Sequence, residues 1–214
     1  MADSPGLPAE DGAGGPVIHV VDDDTAVRGA VGDLLRSMGY AVAEYRSASE
    51  FLTAEREGEA GCLILDVRLP GTSGLELQEF LARDGISLPV ILMTGFGDIQ
   101  MSVKGMKAGA VDFLTKPFRD QDMLDAVSAA LDRDAKLRLS RSEVDRLKAA
   151  WASLKERERD VMQRVVAGEL TKQIAGALGL SEVTIKVTRA AIMRKMGAGS
   201  VAELARMAAR LQEP

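Results

Sequence analysis

The chain has 214 residues, 46% apolar and only 4% aromatic, so an aliphatic core is available to one large domain or two small ones. A single cysteine excludes a disulfide framework and a cysteine metal site, and no apolar run nears the length needed to span a bilayer. The net charge of −5 hides an asymmetry: from Trp151 onward 11 Lys and Arg face 7 Asp and Glu, a balance of +4, while the remainder carries −9. The tail is therefore the candidate for nucleic acid, and the chain as a whole, without the basic-then-apolar order of a signal peptide, is expected to be cytoplasmic with no membrane partner.

Residues 1–16 hold seven Gly or Pro and almost no bulky apolar side chain, which predicts a disordered tail. Short β-type runs and amphipathic helical windows then alternate. Val17–Val21 is strand one, and Thr25–Met38 a helix with Val27, Val31, Leu34, Leu35 and Met38 on one face, stopped at Gly39. Ala41–Tyr45 is strand two, and the order Ser47-Ala-Ser-Glu50 caps the next helix. Strand three is Cys62–Leu65, followed by a helix over about Leu75–Ala82. Strand four is Val90–Thr94, a helix runs from about Asp98 to Ala108, and strand five is Val111–Leu114. Five βα units over about 110 residues predict a parallel, doubly wound α/β sheet.

From Pro117 to Gly168 no Gly or Pro intervenes. Met123, Leu124, Val127 and Leu131 pack the last sheet helix, and Val144, Leu147, Trp151 and Leu154 continue at spacings of three and four. Residues 128–152 are read as a helical linker, either a short apolar seam or a charged spacer lying over its neighbours. Four helices follow: Glu156–Ala167, Thr171–Leu178, Ser181–Met196 and Ser200–Leu211, closed by Gly168, Gly179 and Gly197. Only Gly179 and Leu180 separate the second from the third, which is helix-turn-helix spacing.

The chemistry gathers at one sheet edge. Asp66 ends strand three, and in an open α/β sheet the carboxyl ends of the strands border the crevice where ligands bind. Asp22, Asp23 and Asp24 follow strand one onto the same edge, Thr94 ends strand four and Lys116 follows strand five. Clustered carboxylates repel one another, and a hard divalent cation such as Mg²⁺ relieves that repulsion; Asp23 and Asp66 are the expected direct ligands, with Asp22 direct or through water. The competing reading of the Asp run is a helix cap, served by Asp24 or Thr25. Metal, ammonium and hydroxyl converging on a carboxylate suit phosphoryl transfer, with Asp66 as nucleophile.

Val20-Val-Asp-Asp23, Leu65-Asp66, Pro70-Gly71, Met93-Thr94-Gly95 and Thr115-Lys116-Pro117-Phe118 resemble the receiver domain of two-component response regulators, over residues 17–127. The resemblance implies Mg²⁺-dependent phosphoryl transfer from a sensor histidine kinase to Asp66, with the receiver catalysing its own phosphorylation and dephosphorylation. It further implies that the Arg68 backbone carbonyl joins the metal shell, that Lys116 precedes a cis proline, and that Thr94 and Phe113 act as the switch pair. Phe96 stands where many receivers place a polar group that influences loss of the phosphoryl group.

In residues 153–214, Leu154-Lys-Glu-Arg-Glu158, Thr171-Lys-Gln-Ile-Ala175, Thr184-Ile-Lys186-Val187 and Ile192-Met-Arg-Lys195-Met resemble the LuxR-type helix-turn-helix, and with the receiver point to the FixJ-like branch. Ile185, Ile192 and Met196 form the inward stripe of the third helix, opposite Lys186, Val187 and Ala190. By resemblance those three meet base edges of double-stranded DNA, while Thr171, Lys172, Thr184, Arg189, Arg194 and Lys195 meet phosphates. Thr188 departs from the family, which usually carries histidine there. RNA polymerase and a second copy, joined on phosphorylation, are the other expected partners.

Three other classes compete. A haloacid-dehalogenase-like phosphatase needs a second Asp two residues beyond Asp66, where Arg68 stands. Nucleotide binding lacks a phosphate loop, and Gly95-Phe-Gly97 continues to Gln100 where a dinucleotide fingerprint wants glycine. An adaptor acting through protein contacts would leave the basic tail without DNA. The sole histidine, His19, is read as a residue at the edge of the core.

Overall fold

The apolar runs become five parallel strands, β1 (Val17–Val21), β2 (Ala41–Tyr45), β3 (Gly61–Asp66), β4 (Val90–Gly95) and β5 (Asp112–Lys116), in the order β2-β1-β3-β4-β5. The computed structural model describes residues 15–55, 60–95 and 99–211. The helices α1 (Thr25–Ser37), α2 (Ala48–Thr53), α3 (Gly74–Arg83), α4 (Ile99–Lys107) and α5 (Asp120–Ala152) alternate with or follow the strands. Side chains of a strand alternate between faces, and both faces are covered here. Cys62, Ile64, Ile91 and Met93 pack with Val31, Leu35, Met123 and Val127 of α1 and α5. Leu63, Leu65, Val90 and Leu92 pack on the other side with Phe51, Leu77 and Leu81 of α2 and α3. Every residue of β3 is therefore buried, which is why its sequence is an unbroken apolar run up to Asp66.

The order β2-β1-β3-β4-β5 makes the chain reverse direction across the sheet between β1 and β3. That is the topological switch point, and the crevice opens at the carboxyl ends of those two strands. Asp22 and Asp66 stand there.

Several boundaries differ from the sequence expectation: β3 is longer by one residue at each end, Gly61–Asp66, and β4 ends at Gly95 rather than Thr94. β5 spans Asp112–Lys116 rather than Val111–Leu114, so Lys116 is the last strand residue. The reason is in its neighbour: β4 runs to Gly95, and Thr115 and Lys116 find ladder partners in Thr94 and Gly95. Backbone pairing carries a strand beyond its apolar residues. The expected linker is one piece with the last sheet helix, α5 being a single helix of 33 residues. The chain divides into two compact units at Leu137 and Arg138. Within the second, Leu147 and Leu154 are buried with the helices that follow and Trp151 packs against them, so the apolar spacing from Leu147 to Leu154 serves that core. His19 is 1% exposed, inside the core rather than at its edge, with Nδ1 3.2 Å from the Tyr45 hydroxyl. Residues 1–14 of the expected tail and Phe96 lie outside the described residues, while Gly15 and Pro16 lead into β1 without regular structure.

The second unit holds α6 (Glu156–Val166), α7 (Thr171–Leu178), α8 (Glu182–Met196) and α9 (Val201–Arg210). Gly179 closes α7 in the left-handed conformation at φ 64°, which lets the chain turn into α8 within two residues. Ser181 caps α8, its Oγ accepting the Thr184 N–H at 3.1 Å.

Candidate functional site

The three aspartates after β1 divide the two roles that the sequence left open. Asp24 caps α1, its Oδ1 accepting the Ala26 and Val27 N–H groups at 2.8 and 3.3 Å. Asp22 is fully buried, Asp23 is exposed, and both border the crevice. Asp66 is 7% exposed, and its Oδ1 accepts the Arg68 N–H at 3.1 Å. From the end of β5, Lys116 Nζ donates to Asp66 Oδ2 at 2.9 Å and to Asp22 Oδ2 at 2.6 Å. One ammonium thus ties together carboxylates from two strands. The Lys116–Pro117 peptide is cis.

Burial pushes the Asp22 carboxyl up from its ordinary range, while the Lys116 ammonium and the Asp24 N–H draw it back. Burial draws Lys116 down, but its hydrogen bonds to Asp22 and Asp66 prevail and lift it above 10.5. Oxygen atoms of Asp22, Asp23 and Asp66 lie within 4.8 Å of one another. A single ammonium among three carboxylates leaves negative charge in the crevice, and the all-oxygen donor set fits a hard divalent cation.

Lys116→Met leaves Asp22 and Asp66 without their cation. In the absence of metal the urea midpoint of the first unit should fall. The deficit should shrink as the pH is lowered, since Asp22, already raised by burial, then gives up its charge. An unchanged midpoint at neutral pH would show that the bridge contributes no stability.

Thr94 is fully buried at the end of β4 and donates from Oγ1 to Gly95 O at 3.2 Å. Phe113, in β5, is half-buried against the core on the α2 and α3 side. Gly74, which the sequence reading passed over, matters through what it lacks. A Cβ there would stand 2.2 Å from the Asp66 carbonyl oxygen and 3.0 Å from Val67 Cα. Both neighbours are backbone, so Gly74→Ala should displace the strand end that carries Asp66. A loss of about 1–3 kcal/mol is expected, in the range for overpacking, readable by chemical denaturation.

In the second unit Ile185, Ile192 and Met196 are buried with Val161, Met162 and Ile174. Thr184, Lys186, Val187 and Ala190 are exposed, as are Lys172 and Arg194. The remaining expected residues have partners within the domain. Arg189 donates to Thr171 Oγ1 at 3.1 Å, joining α8 to α7. Lys195 donates to Glu158 Oε2 at 2.6 Å and to Ser153 O at 3.3 Å, joining α8 to the start of α6. That ammonium and the Lys155 N–H hold the Glu158 carboxyl below the usual carboxylate range. Thr188 returns its hydroxyl to Thr184 O at 2.9 Å, so the departure from histidine leaves its polar atom satisfied.

Fold and site together define the class: a doubly wound α/β domain with an acidic crevice, on a chain that also carries a helix-turn-helix. Residues 18–128 match the response regulator receiver domain, and residues 152–208 match the bacterial regulatory proteins of the luxR family. Nodulation protein W of Bradyrhizobium diazoefficiens is 48% identical over 195 residues, 91% of this chain and 86% of that protein. Transcriptional regulatory protein FixJ of Azorhizobium caulinodans is 46% identical over 194 residues, 89% and 90% of the two chains. Among solved structures, response regulator StyR is similar with a TM-score of 0.81 and 45% identity, covering 91% of this chain and 98% of its own. The chain belongs to the two-component response regulators, in the FixJ-like branch that joins a receiver domain to a LuxR-type DNA-binding domain. Among the described residues no helix is long and apolar enough to cross a membrane.

Proposed function

We propose that Asp66 is the phosphoryl acceptor through which this transcriptional regulator is switched. A carboxylate oxygen of Asp66 attacks the phosphorus of a phosphohistidine on a sensor kinase. The phosphorus–nitrogen bond breaks, the imidazole nitrogen leaves with the electron pair, and an acyl phosphate forms on Asp66. The observation that carries this reading is the Lys116 ammonium, 2.9 Å from Asp66 and 2.6 Å from Asp22, placed to neutralise charge beside the reacting oxygen.

Asp22, Asp23, Asp66 and the Arg68 carbonyl would hold Mg²⁺, which when bound neutralises charge on the phosphoryl oxygens. Thr94 exchanges its bond to Gly95 O for a phosphoryl oxygen, and Phe113 moves with it. The same residues serve the domain's own catalysis of phosphorylation and of phosphoryl loss. In the second unit Lys186, Val187 and Ala190 meet base edges. Thr171, Lys172, Thr184, Arg189, Arg194 and Lys195 lie toward phosphates, Arg189 and Lys195 while also bracing α8. Phosphorylation joins two copies on DNA, where they engage RNA polymerase, and the regulator works in the cytoplasm.

The test is the solution mass of the full chain with Mg²⁺, with and without beryllofluoride as phosphoryl mimic, alongside Asp66→Asn. A dimer that forms only in wild type with the mimic supports the reading. Equal behaviour of wild type and mutant, with DNA present as well, counts against Asp66 as the switch.

A further inference from the structure

At residue 22 the β1 ladder stops. The Asp22 N–H still reaches Tyr45 O at 3.2 Å, but its carbonyl lies beyond the paired registers of β1 with β2 and β3. A buried carbonyl needs a donor. It receives one from α1: Arg28 Nη1 donates to Asp22 O at 2.6 Å. The guanidinium is not loose. Its side chain is 14% exposed, its Nε lies 3.7 Å from Glu44 Oε2, and Glu44 is itself paired at 2.5 Å with Arg36. Gly32 leaves room for this crossing, since a Cβ there would stand 2.6 Å from Glu44 Oε1.

We propose that Arg28, braced by Glu44, is a positioning residue for the acidic site: by gripping the Asp22 carbonyl it sets the peptide plane between Asp22 and Asp23. That plane is rigid, so its rotation bears on both residues: it sets the backbone from which Asp23 projects, and it acts on Asp22 together with the bonds from Lys116 and the Asp24 N–H. Arg28 bonds to the Asp22 carbonyl, to Thr25 Oγ1 and to Glu44 rather than to any of the three carboxylates, so its effect passes through the backbone. The inference rests on the reading of Asp22, Asp23 and Asp66 as a divalent-cation site.

The sign of the effect separates positioning from plain electrostatics. Removing a positive charge near a cation site should tighten Mg²⁺ if charge alone matters. Removing the grip on Asp22 should weaken it. Calorimetric titration of the full chain with MgCl₂ reads the difference. Arg28→Met is expected to weaken Mg²⁺ by about 10-fold or more, in the range for groups that orient metal ligands, and Arg28→Lys to recover part of the loss by donating to the same carbonyl.

Thermal unfolding without Mg²⁺ is followed in parallel. If Arg28→Met does not fold, Arg28→Lys, which keeps the charge and alters only the geometry of the grip, decides the matter, and a wild-type affinity in it overturns the proposal. Unchanged or tighter Mg²⁺ binding in a folded Arg28→Met overturns it as well. A wild-type chain that takes up no Mg²⁺ overturns the cation-site reading, and this inference with it; a wild type that binds beside an unaffected Arg28→Met overturns this inference alone.

Discussion

Asp66→Asn should abolish phosphoryl uptake from a small-molecule donor such as acetyl phosphate, with no slow residual modification at a neighbouring aspartate. The neighbours are differently placed: Asp24 is committed to the α1 cap, Asp22 is fully buried under Lys116, and Asp23, though exposed, is not one of the two carboxylates that Lys116 binds. Asp66 alone combines partial exposure, at 7%, with an ammonium on one oxygen and a backbone N–H on the other. The amide that replaces it keeps the shape but loses the nucleophile. Mass spectrometry of the intact chain is the measurement, and phosphorylation persisting in the mutant at the wild-type rate would place the acceptor elsewhere. The fold should survive, because asparagine removes one of the carboxylates that repel one another in the crevice.

Lys186→Ala should cost the regulator most of its sequence discrimination while leaving its weak general attraction to DNA. Lys186 is exposed on the face of α8 opposite the buried Ile185, Ile192 and Met196, beside Val187 at 65% exposure. A side chain that reads base edges is worth about 1–3 kcal/mol of discrimination, roughly a 5- to 150-fold change in affinity for the preferred site. Lys172→Ala, at a position expected to face phosphate, should instead weaken all sequences alike and lower the salt dependence by about one contact. Selection from a random duplex library, followed by titration at several salt concentrations, separates the two. Matching behaviour of the two variants would remove Lys186 from base reading.

Much of this was legible in the residues. The sheet is visible because a parallel strand covered on both faces must be apolar throughout, and Cys62 to Leu65 is so. The helix-turn-helix is visible because Gly179, Ser181 and the spacing of Ile185, Ile192 and Met196 obey local rules of capping and periodicity. Asp22, Asp23, Asp66 and Lys116 could be placed on one edge because each follows or ends a strand of a parallel sheet. The end of β5 was misplaced because Thr115 and Lys116 are held by the backbone of β4, which no side-chain pattern reports.

The order of elements, the placing of each acidic residue at a strand end and the face that α8 turns outward were legible in the chain, since each depends on residues a few positions apart. Only the tertiary structure decided how the charges are shared. It assigned Asp24 to the helix cap and Asp22 to the crevice, carried Lys116 to two carboxylates 94 and 50 residues away, and laid Gly74 against the Asp66 carbonyl. It also joined Arg28 to the Asp22 carbonyl and turned Lys195 back to Glu158. These are contacts through space between groups whose separation along the chain carries no period. Which of several charged residues meets which partner follows from strand order and helix docking, and those exist only once the core has packed.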